Sequence, residues 1–460
     1  MAQKTIFLSI FDGDTERVIL RTDVFKVLKE SGHKIVLLVR GADRIEHYKK
    51  EFESEQVAVE LLPPTASRTE TLWYYIGWNS VPTHAVAVRR VREYRNAGNW
   101  KFYILGFIAW SLGHLKIWRE LLRILYMRFG EDYATDLFEK YQPDLLFAAN
   151  MFSPEDCRLL RQAKKVRVRT VTIAKSWDVL TTKAFTRVKA DRIVVYHEYN
   201  RREAIAVGDY RKDQVVVCGF PQFDIYTDDR IYVSREEFCK QNGLDPEKEY
   251  VLYGLPGDWK SPDTRAVLSM LDKKITENAF LKPLQILARS HPKYRDSSES
   301  LSSSNIIFDR PGMYFGKGSE FSIDSSTTTT QWTFRDTDII HLANSLRHAD
   351  VVLSVDSTLT LDAAALGRPS ILIGYDGDRK LPYKRSIAYI YERDHYRNVM
   401  RTGAAPLARS HEDLVRDINQ FLRDPEWLRK ERDTLVRNLL YKTDGQSGER
   451  MGRAVLEMLP

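Results

Sequence analysis

The stretch from Ala349 to Asp376, A-D-V-V-L-S-V-D-S-T-L-T-L-D-A-A-A-L-G-R-P-S-I-L-I-G-Y-D, constrains the fold more than any other part of the chain. Val351 to Val355 is a β-branched run long enough for one buried strand. Asp356, Ser357 and Thr358 interrupt it with small polar groups, and Leu359 to Leu366 reads as a Leu/Ala-rich helix closed by Gly367 and Pro369. Ser370 to Gly374 is the next strand. A strand, a polar turn, a helix and a strand make the βαβ unit of a doubly wound parallel sheet. The turn lies where free backbone N–H groups and the helix dipole favour an anion. Ser357 and Thr358 fit a phosphate there, and they fit equally a plain helix cap.

The same alternation extends over the 460 residues, which predicts an α/β protein of two Rossmann-like domains. In residues 1–219, strands are expected at Thr5–Ile10, Lys34–Val39, Val57–Leu61, Leu145–Ala149, Arg169–Ile173, Arg192–Tyr196 and Gln214–Cys218. One helix is expected from about Glu16 to Glu30, and an aromatic and basic helical region from about 73 to 141. Residues 220–247 read as a connector. Residues 248–424 form a second strand-first domain, with strands at Tyr250–Gly254 and Leu284–Ala288 ahead of the βαβ unit. Residues 425–460 read as helices crossing back to the first domain. Ser297–Asn305 and Ser325–Gln331 are Ser/Thr-rich loop segments.

Charge narrows the partners. A formal net charge of +7 favours acidic ligands such as nucleotides, anionic polymers or anionic lipid. No zinc finger, RNA-recognition motif or basic-aromatic repeat points to nucleic acid. Cys157, Cys218 and Cys239 lack metal-ligand spacing and read as reduced thiols, as in a cytoplasmic protein. The start of the chain reads as a strand and not as a signal peptide. Residues 102–128 combine an aromatic run with Lys116, Arg119, Arg123 and Arg128 at helical spacing. This suits a helix lying on an anionic membrane surface, and it also suits an amphipathic helix packed on its own sheet.

Three strand-end turns of the second domain are expected to share one cleft wall: Leu255 to Asp258 with Gly257, Arg289 to Lys293, and Asp356 to Thr358. Pro292 holds His291 extended, and Arg289 and Lys293 flank it with positive charge. Such a set suits a departing phosphate.

With these elements placed, the layout resembles a GT-B glycosyltransferase. The His-Pro and Ser/Thr elements resemble those of bacterial capsule, teichoic-acid and polysialic-acid polymerases, including the CDP-glycerol glycerophosphotransferases. Lys175 to Lys183, with Ser176, Trp177, Asp178 and Thr181, resembles a Ser-Trp-Asp-x-Leu-Thr segment of surface-carbohydrate proteins. Glu198 to Ala204 and Gly219 to Asp224 fit the same group, and Asp444 to Arg450 resembles the glycerophosphotransferase ending. The resemblance implies a nucleotide-activated donor of CMP, CDP or UDP type as co-substrate, and no cofactor or metal. It further implies donor-phosphate contacts from His291, Ser357 and Thr358, and a surface-glycan or lipid-linked acceptor. Asp362, a helical turn after Thr358, is a candidate for a ribose hydroxyl or a plain surface carboxylate.

The acceptor side is expected on first-domain loops carrying Asp12, Gly13, Arg17, Ser176, Trp177 and Thr181. An attacking hydroxyl needs a carboxylate within reach. Asp14, in an Asp-Gly-Asp turn, and Asp178 compete for this role, with Asp178 preferred. Two alternatives share the fold: a nucleotide-sugar 2-epimerase and an inactive carbohydrate-binding scaffold. The epimerase family carries Ser-Gly-Gly followed by Glu where this chain has Asp-Ser-Thr-Leu.

Overall fold

The structure is a computed structural model that describes residues 2–62, 67–183, 185–257, 263–292, 296–314 and 332–460. Asp258, Lys293 and the Ser325–Gln331 segment lie outside the described residues.

Seven strands form the first sheet: β1 (Thr5–Ile10), β2 (Lys34–Val39), β3 (Val57–Leu61), β4 (Leu145–Ala148), β5 (Arg169–Ile173), β6 (Arg192–Val195) and β7 (Val215–Val217). All pair in parallel, in the order β3-β2-β1-β4-β5-β6-β7. The second half begins with β8 (Glu249–Gly254), β9 (Leu284–Arg289) and β10 (Ile306–Asp309). A short antiparallel ribbon of β11 (Met313–Tyr314) and β12 (Trp332–Thr333) follows, then β13 (Val351–Ser354), β14 (Ser370–Ile373) and β15 (Leu407–Ala408). The second sheet is also parallel, in the order β10-β9-β8-β13-β14-β15.

Helices cover both faces of each sheet, so the central strands are buried throughout; Ile6, Phe7 and Leu8 are fully buried, as are Val351, Val352 and Leu353. Each strand order reverses once, between β1 and β4 and between β8 and β13. In open α/β sheets the crevice for ligands opens at that reversal, beyond the carboxyl ends of the strands. Asp12 follows β1, and Asp356 follows β13.

The expected Glu16–Glu30 helix is two helices, Gly13–Ile19 and Asp23–Glu30. Thr22 divides them, because its side chain caps the second helix at Val24 N while bonding back to the Val18 carbonyl at 2.7 Å. Residues 102–128 are also split, into Trp100–Gly113 and Lys116–Phe129. The C-terminal helix Ser447–Leu456 packs against Asp23–Glu30, so the end of the chain lies on the first half.

Candidate functional site

The two halves meet along the carboxyl ends of their strands. Arg17 reaches Asp362 at 3.7 Å, His84 reaches Glu392 at 3.2 Å, and the Ala85 N–H donates to Asp394 at 2.6 Å. Gly13 lies beneath Trp332 of the ribbon, so closely that a Cβ would sit 2.9 Å from the Trp332 carbonyl oxygen.

Asp356 is the centre of the second-half wall. Its backbone is left-handed, with φ of 42°, a conformation that Asp tolerates better than most residues and that turns its carboxylate into the wall. Arg393 donates to its carboxylate at 3.0 Å, and His395 Nε2 lies 3.5 Å away. The other ring nitrogen of His395 is buried with no hydrogen-bond partner among the described residues. Tyr396 locks the turn, since its hydroxyl accepts from Ser357 N at 2.8 Å and donates to Ser357 O at 3.0 Å. The Ser357 hydroxyl accepts from Leu359 N at 3.2 Å, which is the capping geometry, whereas the Thr358 side chain makes no capping bond.

Asp178 follows β5 on the opposite wall, and its neighbours set its charge state. Burial opposes ionisation, but His395, Lys183 and the Ser176 hydroxyl together hold the carboxyl below the usual carboxylate range. Glu203 behaves in the opposite way. Burial pushes it up to about 8 despite a 2.8 Å hydrogen bond from Asn200, and Asp394 and Asp178 add to the rise. Asn200 also donates to the Trp177 carbonyl at 2.8 Å, tying Glu203 to the Asp178 loop. An ionised carboxylate and a protonated one that feels its charge are a combination suited to acid–base chemistry at neutral pH. Burial lowers Lys183 below the ordinary lysine range, against the pull of Asp178.

Glu203 holds a proton in the folded state that it would release on unfolding, so the stability it contributes is full below the ordinary Glu pKa and is lost as pH rises toward about 8. Glu203→Gln is therefore expected to flatten the melting temperature between about pH 5 and 8 relative to wild type, as thermal denaturation would show.

The structure relocates several residues expected in the cleft. Arg289 is buried and bonded to Asp309, its partner in the β9–β10 register, with His341 at 3.0 Å. It stabilises the sheet edge and does not flank a ligand. The Gly257 N–H is bonded to Asp296 at 3.2 Å. Asp362 is buried, accepting from Tyr226 at 2.5 Å with Arg17 alongside, so it joins the halves and is no surface carboxylate. Trp177 is 4% exposed, with its ring against His395 at 5.0 Å and Tyr396 at 5.6 Å, and it offers no open face to a sugar. Thr181 is buried and bonded to the Asp178 carbonyl at 3.1 Å. Asp12 caps its helix at Thr15 N, and Lys175 lies 2.6 Å from Asp12 and 3.1 Å from the exposed Asp14. The Lys175 ammonium thus bridges the two carboxylates of the Asp-Gly-Asp turn. Ser176 and His291 are half-buried at their strand ends. Arg17 stacks on Phe334 at 5.4 Å.

Glu203, Lys183, Arg393 and His395 belong to the candidate site and were not singled out in the sequence. Glu203 carried a usable signal, standing one helical turn after Asn200 behind β6. Arg393 and His395 carried none, because they reach Asp356 by way of the long connection after β14.

No family model matches the chain, and no curated protein matches it in sequence. Solved structures do match in shape. The UDP-GlcNAc 2-epimerase from Neisseria meningitidis bound to UDP-GlcNAc superposes with a TM-score of 0.55 at 10% identity, over 98% of this chain and 100% of that one. A glycosyltransferase from Rickettsia africae gives 0.50 at 11% identity, over 99% and 100%. The wall teichoic acid polymerase TagF gives 0.51 at 10%, over 99% and 89%. Together with the two parallel sheets meeting at their carboxyl ends, these similarities show that the chain has the GT-B fold.

Proposed function

We propose that this protein is an inverting transferase that moves a sugar or glycerol phosphate from a nucleotide-activated donor to a hydroxyl of a surface-glycan or lipid-linked acceptor. The observation that carries the reading is Asp178, kept ionised in part by His395, the same ring that lies 3.5 Å from the left-handed Asp356. In this mechanism the donor lies on the second half, with its phosphates toward His291, Ser357 and Thr358. Asp178 accepts the proton of the acceptor hydroxyl. The new bond to the acceptor oxygen forms as the bond to the donor phosphate breaks, and the leaving phosphate takes the electron pair. His291 and Arg393, which is held at Asp356, stabilise that charge. Lys293 belongs to the same group by position in the sequence. Three features support a nucleotide donor: the two reversal points facing one another, the basic side chains at the cleft, and a fold shared with a protein bound to UDP-GlcNAc.

A second reading is favoured by the Asp178–Glu203 pair. One ionised and one protonated carboxyl, the second raised in part by the charge of the first, also suit proton removal from a sugar carbon and its return, the chemistry of a nucleotide-sugar epimerase. Product analysis separates the two. Purified protein incubated with CMP-, CDP- and UDP-linked donors is expected to release nucleotide and form product only when an acceptor is present. An epimeric nucleotide sugar formed without acceptor would establish the epimerase instead. His291→Ala is expected to slow donor turnover by about 10²-fold or more, the scale for removing one group that stabilises leaving-group charge.

A further inference from the structure

Helices Trp100–Gly113 and Lys116–Phe129 have the polarity of a buried element turned inside out. The side facing the protein carries Gly106, Ala109 and Gly113, all buried, and a Cβ at Gly113 would collide with the Ser80 carbonyl. Large apolar side chains face solvent instead. Trp100 is 58% exposed, Phe102 55%, Leu105 56%, Ile117 78%, Ile124 63% and Phe129 64%. An apolar face of this size on consecutive helices marks an interaction surface.

Charge selects the partner. The exposed charged side chains of the two helices, Lys101, Lys116 and Arg128, are all basic. Lys101 and Arg128 sit beside the rings of Trp100 and Phe129, at 5.8 and 5.9 Å. The one acidic residue, Glu120, is bonded to Arg123 at 2.9 Å and to Lys189 at 3.3 Å. A two-fold dimer through this face would set like charges against each other. An anionic bilayer meets both requirements, taking the apolar side chains into its interface and the cations among its headgroups. The helices are too short to cross a membrane, and no described helix is long and apolar enough to do so.

We infer that the exposed face of these two helices docks the protein on an anionic lipid surface. The basic stripe first read from the sequence is corrected in part. Lys116 and Arg128 face outward, whereas Arg119 and Arg123 turn inward to Asp209, at 2.7 and 2.8 Å, and anchor the second helix from beneath. The docking face is one helix from the cleft: helix His84–Ala97 packs on Trp100–Gly113, and its first turn meets Glu392 and Asp394.

Flotation of the full-length protein tests this, using vesicles of phosphatidylcholine alone and of phosphatidylcholine with phosphatidylglycerol. Wild type is expected to float with the anionic vesicles at low salt and to be released as salt rises. Ile117→Glu/Ile124→Glu, both at exposed positions, is expected to lose at least about tenfold in vesicle affinity with an unchanged melting temperature. Lys101→Ala/Lys116→Ala/Arg128→Ala is expected to lose about five-fold per side chain on anionic vesicles and little on neutral ones. Wild type left unbound to anionic vesicles, or both variants floating like wild type, would overturn the inference. So would a wild-type dimer that Ile117→Glu/Ile124→Glu converts to monomer without any vesicle binding, since the face would then belong to a second copy. Turnover enters none of these measurements, so their failure leaves the catalytic reading standing.

Discussion

Asp178→Asn is expected to lower turnover by about 10²- to 10⁴-fold, the range for loss of a positioned general base, while donor binding and folding persist. The substitution keeps the shape and the acceptor oxygen that takes the Thr182 hydroxyl at 3.1 Å, so the short helix Val179–Thr182 stays anchored. What it removes is the charge that His395 and Lys183 stabilise. The measurement is a kcat from single-donor assays, paired with a thermal-shift titration of the same nucleotide, because a ligand bound only by the folded state raises the melting temperature equally in both proteins. Asp14→Asn is the control. Asp14 is exposed and paired with Lys175, so its loss is expected to change kcat only slightly. If Asp14→Asn abolished turnover and Asp178→Asn did not, the roles of the two carboxylates would be exchanged. The pH profile adds an independent check. Asp178 is ionised across the neutral range, and Glu203 loses its proton near pH 8, so an epimerase using Glu203 as acid would slow above about pH 8.

Asp209→Ala is the substitution expected to cost most stability, about 3–5 kcal/mol, because it takes from buried Arg119 its carboxylate partner and leaves buried Arg123 with Glu120 alone. The Asp209 side chain is 4% exposed and serves both arginines. Arg119 turns its remaining nitrogen to the Gly113 carbonyl at 2.6 Å, and Arg123 bonds the Thr186 and Gly208 carbonyls at 2.9 and 3.2 Å. Loss of the carboxylate therefore loosens the outward-facing helix pair as well as the loop that carries Asp209. Urea titration is the direct assay, with a lower midpoint expected. Asp209→Asn is expected to fall between wild type and Asp209→Ala, since it keeps an acceptor and tolerates the left-handed backbone, φ 59°, at this position. The two arginines hold the Asp209 carboxyl below its ordinary range against the effect of burial. Its contribution is therefore present at neutral pH and is lost as pH falls through that depressed value, so wild type and Asp209→Asn should converge in strong acid.

The positions of the candidate-site residues that follow a strand were legible in the sequence. Asp12, Asp178, His291 and Asp356 each stand just beyond a short apolar run, and a parallel sheet brings every such position to the same edge. Side-chain direction was not legible in the same way. Arg289 stands at the end of β9 as expected, but the β9–β10 register sets it opposite Asp309, and a buried guanidinium takes the carboxylate within reach. Trp177 and Thr181 were expected to meet an acceptor, but both are buried, Trp177 against His395 and Tyr396 and Thr181 against Asp178 and Thr83.

The local pattern of the chain, with period two in strands and 3.6 in helices, determined by itself the succession of strands and helices, the parallel sheets and the loops at which chemistry can occur. Those periods act over neighbouring residues and need no knowledge of the rest of the fold. The tertiary structure alone decided which charges meet at the cleft and beneath the outward-facing helices, because those ion pairs join residues far apart in the chain. Arg119 and Asp209 are 90 positions apart, and Arg393 and Asp356 are 37 apart. A charge at such a separation is satisfied by whatever the packed halves bring within a few ångströms. Only the fold could therefore show that the Asp356 turn is held by Arg393, His395 and Tyr396, and that the large apolar residues of Trp100–Gly113 face outward.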